Sequence, residues 1–159
     1  MTQNINSSFL VSTFNYLERN SIQMSKPIEP PWPTGESSCS ETYNGHCHCG
    51  TVQYKVTLSP PLHPKEPEPN ARWKVVRCNC SICTRNGYLL VQPFTKSVEF
   101  TKGQDGLTSY HFGTKRNAHW FCRECGSSIG VDLSGLGDLG GGQRYAMNVG
   151  LRFPSLLGC

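Results

Sequence analysis

Residues 45–54 read GHCHCGTVQY, so Cys47 and Cys49 stand one residue apart directly before an alternating segment. Two further clusters follow, CNCSIC at residues 78–83 and CREC at residues 122–125, and the three clusters together hold seven of the nine cysteines. Four thiolates complete the tetrahedral shell of a structural zinc, whereas three leave one position open, as catalytic zinc requires. Because seven is four plus three, the spacing predicts two zinc ions with different roles.

The first and third clusters are predicted to share the structural zinc. Cys122 and Cys125 form a CxxC knuckle, in which two intervening residues let both sulfurs face one metal. Cys47 and Cys49 are the natural second pair, because alternate residues of an extended segment point to the same face. A zinc bound by these two pairs would join the start of the domain to its end.

The middle cluster then remains as a compact set of three, Cys78, Cys80 and Cys83, and we expect it to hold the catalytic zinc. Two alternatives stay open at this point. The cysteines could be redistributed between the two sites. A histidine could also complete the three-cysteine site as its fourth ligand. The candidates for that fourth ligand are His48, His111 and His119.

Disulfides are the weaker interpretation of these cysteines. Neighbours separated by one residue do not readily pair, and the N-terminus lacks the basic-then-apolar pattern of a secretory signal. No apolar run approaches the roughly 20 residues that span a bilayer. The net charge of +4 is dispersed, with no basic block for nucleic acid. We therefore expect a cytoplasmic protein, with neither a membrane nor a nucleic acid as its partner.

The pattern of residues 50–58 predicts a half-buried strand, because Val52, Tyr54, Val56 and Leu58 alternate with polar residues. No segment of ten or more residues shows helical periodicity, so we predict an all-β fold of short strands and metal-bearing turns. Further strands are predicted over residues 72–76, 88–94, 97–101, 107–112, 117–121, 129–133 and 145–149.

Three regions are predicted along the chain. Residues 1–42 are rich in polar residues and proline and are expected to form a disordered tail and linker. Residues 43–150 form the zinc-binding domain. Residues 151–159 are an atypical C-terminus.

His119 is the candidate catalytic residue. It stands three residues before Cys122 in the sequence His-Trp-Phe, and the ordinary pKa of histidine suits proton transfer near neutral pH. The alternative is a structural role, in which His119 orients the knuckle or caps a strand.

These motifs resemble the glutathione-dependent formaldehyde-activating enzyme family, which includes the relatives of centromere protein V. The likeness covers residues 43–150 and rests on GHCHCGTVQY at 45–54, CNCSIC at 78–83, HWFCRECG at 119–126 and NVG at 148–150. It implies a zinc-stapled, barrel-like, all-β assembly of short antiparallel sheets. By the same likeness, Cys47, Cys49, Cys122 and Cys125 bind the structural zinc, and Cys78, Cys80 and Cys83 bind the catalytic one.

The resemblance also implies an activity. The family joins formaldehyde to glutathione, giving S-(hydroxymethyl)glutathione, and is classed as a carbon–sulfur lyase. A small thiol such as glutathione and an aldehyde are thus the expected partners. Residues 151–159 depart from the way family members usually continue, and we expect that departure to impair activity.

Two other functions are compatible with the cysteines. A non-catalytic zinc module that binds another protein predicts two closed metal shells. A metal buffer or thiol-redox protein predicts easy loss of the middle metal and disulfides among Cys78, Cys80 and Cys83.

Overall fold

The computed structural model describes residues 29–64 and 72–151 of the 159-residue chain. The predicted mostly β fold is confirmed, and in these ranges one short α-helix and three single-turn 3-10 helices accompany the strands. The elements are β1 Glu41–His46, β2 Gln53–Leu58, α1 Ser81–Asn86, β3 Leu90–Val91, β4 Val98–Lys102, β5 Leu107–Tyr110, β6 Ala118–Cys122, β7 Ser128–Asp132 and β8 Tyr145–Asn148.

The strands form two antiparallel sheets. The smaller sheet has the order β1-β2-β4, and the larger has the order β3-β8-β7-β6-β5. Both sheets are open, and the strands of the described ranges do not close into a barrel. The expected assembly of short antiparallel sheets is therefore present as two open sheets.

The alternation predicted for residues 50–58 is seen in β2. Tyr54, Val56 and Leu58 are buried, and the residues between them are exposed. These side chains pack with Ile129 and Met147 of the larger sheet, and this core also contains the fully buried Cys47 and Cys122. The apolar face of β2 therefore packs toward the predicted structural metal site.

Four elements differ from the predictions. The strand predicted over residues 88–94 is reduced to Leu90–Val91. Residues 72–76 do not form a strand and contribute only the single bridge of Val76 to Leu90. Helix α1 has six residues, too few for a helical period to show in the sequence. Strand β1 was not predicted either, because its polar residues and Gly45 hide the alternation of buried and exposed positions.

The segment predicted as a linker contributes one aromatic ring to the domain. Arg144 is 2% exposed, and its guanidinium carbon lies 4.2 Å from the ring centre of Trp32 and 3.8 Å from that of Phe94. Its Nη1 donates to the Gln92 carbonyl at 2.7 Å. Residues 29–40 contain no helix or strand but are anchored by this contact. The rest of the predicted tail, residues 1–28, and residues 152–159 lie outside the described residues.

None of the helices in the described ranges combines the length and the apolar character needed to cross a bilayer.

Candidate metal centres

The first pair of cysteines lies in a tight turn between β1 and β2. The Gly50 N–H donates to the Cys47 carbonyl at 3.0 Å, and the Cys47 N–H donates to the Val52 carbonyl at 3.0 Å. Gly50 has a φ of 74°, in the left-handed region that favours glycine. The turn therefore places both sulfurs at one end of the smaller sheet.

The second pair repeats this arrangement between β6 and β7. The Gly126 N–H donates to the Cys122 carbonyl at 2.9 Å, the Cys122 N–H donates to the Ser127 carbonyl at 2.9 Å, and Gly126 has a φ of 71°. The two turns also meet directly, because the His48 N–H donates to Ser127 Oγ at 3.0 Å. They form two facing knuckles that connect the two sheets.

The four sulfurs of these knuckles form one cluster. Cys47, Cys49, Cys122 and Cys125 have Sγ atoms that all lie within 4.8 Å of one another. Cys47 Sγ is 3.4 Å from Cys49 Sγ, and Cys49 Sγ is 3.7 Å from Cys122 Sγ. Tetrahedral zinc with Zn–S bonds of about 2.3 Å requires sulfur–sulfur separations of about 3.8 Å. The geometry fits a closed, four-thiolate zinc site.

The surroundings of this four-cysteine cluster favour some thiolates more than others. The hydrogen bond with Ser127, whose Oγ lies 3.3 Å from Cys125 Sγ, is the main reason that the pKa of Cys125 is lowered to about 5. Burial has the opposite effect at Cys122 and raises its pKa to about 11. A divalent cation would offset the repulsion among four crowded thiolates, so metal binding lets all four ionise together.

The second cluster is local in sequence. Cys78 and Cys80 lie in the chain before α1, Cys83 lies within the helix, and their three Sγ atoms are within 4.8 Å of one another. The Thr84 N–H donates to the Cys80 carbonyl at 3.0 Å, which holds the chain in the first turn of the helix. The loop before α1 and the first turn of the helix thus bring three sulfurs close together.

The three thiols differ in their access to solvent. Cys83 is 3% exposed, whereas Cys78 and Cys80 are half-buried. Burial raises the pKa of Cys83. Burial also opposes ionisation of Cys80, but hydrogen bonds from the Cys83 backbone and from the neighbouring thiols outweigh it and lower the pKa of Cys80. An incoming ligand would therefore approach from the side of Cys78 and Cys80.

The structure brings together the two sets of cysteines that the spacing predicted. Cys39 belongs to neither set, and Cys159 lies outside the described residues. Within residues 29–64 and 72–151, no histidine joins either cluster. The three histidines considered as a fourth ligand therefore do not complete the three-cysteine site in this structure.

His119 is the second residue of β6 and is 5% exposed. Its ring stacks on Tyr88, with centroids 6.0 Å apart and planes at 17°, and lies 5.3 Å from the ring of Phe112. Burial, together with the nearby His111, lowers the pKa of His119, so its imidazole is neutral at pH 7. The structure places it between aromatic rings and not at a strand end.

Tyr88 connects His119 to the three-cysteine cluster. Its N–H donates to the Cys83 carbonyl at 3.0 Å, and its ring shares an apolar cluster with Cys83. Burial raises the pKa of Tyr88, and negative charge at Cys83 and Cys80 acts in the same direction. One aromatic ring therefore separates the candidate catalytic histidine from the candidate catalytic metal site.

Several residues that contact the two sites were not identified as site residues from the sequence. The hydroxyls of Ser127 and Thr51 lie 3.3 Å and 3.2 Å from cysteine sulfurs. Each residue directly follows the glycine of a knuckle, and that position in the sequence could have identified it. Tyr88 carried no such signal. It reaches His119 only because β6 and the chain after α1 come together in the fold.

Comparison with known proteins agrees with this geometry. A family model described as glutathione-dependent formaldehyde-activating enzyme matches residues 42–140, more than half of the chain and a span that contains all seven clustered cysteines. The crystal structure of a Rhodobacter sphaeroides protein is similar, with 28% sequence identity and a TM-score of 0.50. The similarity covers 69% of this chain and 86% of that one.

Proposed function

Because the chain belongs to the glutathione-dependent formaldehyde-activating enzyme family, we propose that it is a zinc-dependent carbon–sulfur lyase that makes or breaks an adduct of glutathione and formaldehyde. In this it would resemble S-(hydroxymethyl)glutathione synthase. The three-cysteine cluster is the observation that carries the proposal. Three sulfurs converge there, and the described residues add no fourth protein ligand. Such a set suits a metal that must accept a substrate.

The proposed reaction needs no oxidant or reductant. In the synthetic direction the glutathione thiol gives up its proton, and its sulfur forms a bond to the carbonyl carbon of formaldehyde. The π electron pair of the carbonyl moves to oxygen, which takes up a proton and becomes a hydroxyl. In the lyase direction the hydroxyl loses its proton and the oxygen re-forms the carbonyl. The carbon–sulfur bond breaks with its electron pair on sulfur, and the released thiolate takes up the proton.

Zinc held by Cys78, Cys80 and Cys83 would supply a position at which a thiol ionises near neutral pH. The half-buried Cys78 and Cys80 leave that position accessible, whereas the buried Cys83 fixes the cluster to α1. A second zinc, held by the four-cysteine cluster, would have a structural role. The proposal therefore includes two zinc ions in each chain.

His119 is the proposed hydrogen-bond donor in this reaction. Negative charge develops on the aldehyde oxygen as the carbon–sulfur bond forms, and a donor fixed in a low-dielectric site stabilises it. The imidazole is buried between Tyr88 and Phe112, so its N–H is held in place before the substrate arrives.

The proposal also covers the partners and the compartment. Glutathione and a small aldehyde are the proposed ligands, and free thiols of this kind persist in a reducing compartment such as the cytoplasm. Neither a membrane nor a nucleic acid has a part in the proposed chemistry.

Cobalt substitution tests the proposal, because tetrahedral cobalt reports directly on its ligands. Titration of the cobalt protein with glutathione should shift the visible absorption bands of one metal of the two, with saturation at one glutathione per chain. Cys39→Ala is the matched control, since Cys39 lies outside both clusters, and it should behave like the wild type. An unchanged spectrum would indicate two closed shells and favour a non-catalytic module that binds another protein.

A further inference from the structure

Arg144 carries a buried positive charge that no carboxylate balances. It is 2% exposed, and no acidic side chain of the described residues is within salt-bridge distance of its guanidinium. Burying a charge without a partner is costly unless other groups replace its water. Here its Nε donates to the Leu139 carbonyl at 2.6 Å and its Nη1 to the Gln92 carbonyl at 2.7 Å. The rings of Trp32 and Phe94 lie against the guanidinium, so Trp32 is one of the groups that keep this charge from water.

The Leu139 carbonyl belongs to the glycine-rich loop between β7 and β8. Glycine loses more conformational entropy on folding than any other residue, so such a loop depends on the contacts that hold it. At the tip of the loop the Leu139 N–H donates to the Gly142 carbonyl at 2.9 Å, and a Cβ at Gly140 would lie 3.0 Å from Trp32 Nε1. Trp32 and Arg144 therefore both contact the tip.

Leu139 connects this loop to the three-cysteine cluster. Its side chain packs against the buried apolar cluster that contains Cys83, and Cys78 and Cys80 pack against the same cluster. Leu133, where the loop begins, is itself a buried member of that cluster. The conformation of the loop thus affects the packing on which all three cysteines depend.

The segment that carries Trp32 also contacts the chain that leads to these cysteines. The Lys74 N–H donates to the Pro31 carbonyl at 2.9 Å. Cys78 follows four residues later, and between them the Val76 N–H is bonded to β3 at 2.8 Å. Adjacent residues of this segment therefore hold both the loop that packs with the cysteines and the chain that enters their cluster.

We propose that Trp32 and Arg144 are positioning residues of the three-cysteine site. Trp32 keeps the guanidinium of Arg144 out of water, and Arg144 holds the Leu139 carbonyl, so that the loop stays packed and the site retains its metal. Without the indole, water reaches the guanidinium and competes with the loop for its N–H groups. This inference rests on the metal site of the proposed function but not on its substrate. Both residues lie outside residues 42–140, the span that the family model matches.

Zinc affinity, measured by competition with a coloured chelator, tests this role, and the four-cysteine cluster is the reference within the same molecule. In Trp32→Leu the more weakly held zinc should bind about two- to thirtyfold less tightly, the range set by loss of one cation–π contact. The other zinc should be unaffected. Trp32→Phe, which restores an aromatic face, should keep most of the wild-type affinity. Glu29→Ala is the matched control, because it removes only the exposed ion pair of the same segment with Lys74, and it should bind both zinc ions normally.

A double-mutant cycle tests whether Trp32 acts through Arg144. Arg144→Lys keeps the charge but loses the planar fork that reaches two carbonyls, so it should also weaken the affinity of the three-cysteine site. The variant with both Trp32→Leu and Arg144→Lys should bind this zinc no more weakly than Arg144→Lys alone. Circular dichroism of each variant should show the β spectrum, because Trp32 lies outside both sheets.

The outcomes separate this inference from the proposed function. An unchanged affinity in Trp32→Leu would overturn the inference, as would equal weakening of both zinc ions, which indicates a general loss of stability. Additive effects in the double variant would overturn it as well, because Trp32 would then act independently of Arg144. A cobalt spectrum that does not respond to glutathione would overturn the proposed function, whereas selective weakening of one zinc would still support the inference.

Discussion

The two cysteine clusters differ most in the length of chain that they connect. Cys49 and Cys122, whose sulfurs are 3.7 Å apart, are separated by 73 positions, so the four-cysteine cluster ties the smaller sheet to the larger one. The three-cysteine cluster lies wholly within residues 78–83 and connects nothing beyond its own loop and helix. We therefore expect a metal in the first cluster to hold the fold together, and a metal in the second to leave the fold largely unaffected.

Exposure does not separate the clusters, because each one combines buried and accessible sulfurs. The buried Cys47 and Cys122 share one cluster with the exposed Cys49, and the buried Cys83 shares the other with the half-buried Cys80. The number of ligands does separate them, because four thiolates fill a tetrahedral zinc shell and three leave one position for substrate. Under the proposed function, stability and reactivity belong to different metals. The predictions below test that division and then the surroundings of His119.

Cys122→Ser should have the largest effect. It removes one ligand from the shell that joins the sheets, and loss of a structural zinc of this kind costs about 4 kcal/mol or more of unfolding free energy. Urea denaturation followed by circular dichroism would show the loss of the cooperative transition. Cys39→Ser should retain that transition, and equal destabilisation by both substitutions would contradict the structural role.

Partial chelation should separate the two metals. A three-thiolate site with an open position exchanges its metal faster than a closed shell of four thiolates. Titration with a chelator of moderate affinity should therefore remove the first zinc with the β spectrum retained and turnover lost. Unfolding in step with the first zinc would show that the more weakly held metal is the structural one.

A pair of glycine substitutions compares the clusters at smaller cost. Gly126 and Gly87 have φ values of 71° and 63°, and a Cβ at either position would meet no atom within 4 Å. Alanine at either position should cost about 1–2 kcal/mol of local strain. Gly126→Ala should lower Tm and weaken the structural site.

Gly87 ends α1, so Gly87→Ala should instead weaken metal binding at the three-cysteine cluster, with a smaller change in Tm. Metal affinity measured by competition with a coloured chelator distinguishes the two variants. Equal losses of Tm and of metal affinity in the two variants would contradict different roles for the two clusters.

The pH dependence of His119 should be the smallest effect. Its pKa is lowered, chiefly by burial, so the folded protein holds this ring neutral where the unfolded chain begins to bind a proton. The contribution of His119 to stability is thus present above about pH 6.5, the ordinary pKa of histidine, and declines as the pH falls below it. An NMR titration of the ring should show a midpoint below that ordinary value.

His119→Gln should make the acid side of the stability curve slightly less steep. A midpoint at or above the ordinary histidine value would place His119 in contact with water or with negative charge, and would contradict its position between Tyr88 and Phe112.

The sequence predicted what depends on near neighbours. The alternation in β2 and the approach of the two sulfurs within each knuckle follow from spacings of one to three residues. The pairing of the two knuckles across 73 positions was predicted from the number of ligands, four plus three. Strand β1 escaped prediction because Gly45 and polar residues interrupt its pattern. Helix α1 is too short for its period to be read.

The surroundings of His119 were not predictable in the same way. Tyr88 and Phe112 reach it from segments whose approach depends on how β5 and β6 pair and where α1 ends. The buried Arg144 was likewise unforeseen, since its partner Trp32 lies in a proline-rich segment that reads as a linker. Contacts between distant segments give no local signal.

The metal content of Cys80→Ala, measured together with its circular dichroism, tests the central claim most directly. Loss of one of three ligands should lower zinc from two equivalents to one, abolish turnover, and leave the β spectrum and cooperative unfolding intact. Retention of two zinc ions with normal turnover would contradict the three-cysteine site. Loss of one zinc together with the fold would contradict the division between a structural and a reactive metal.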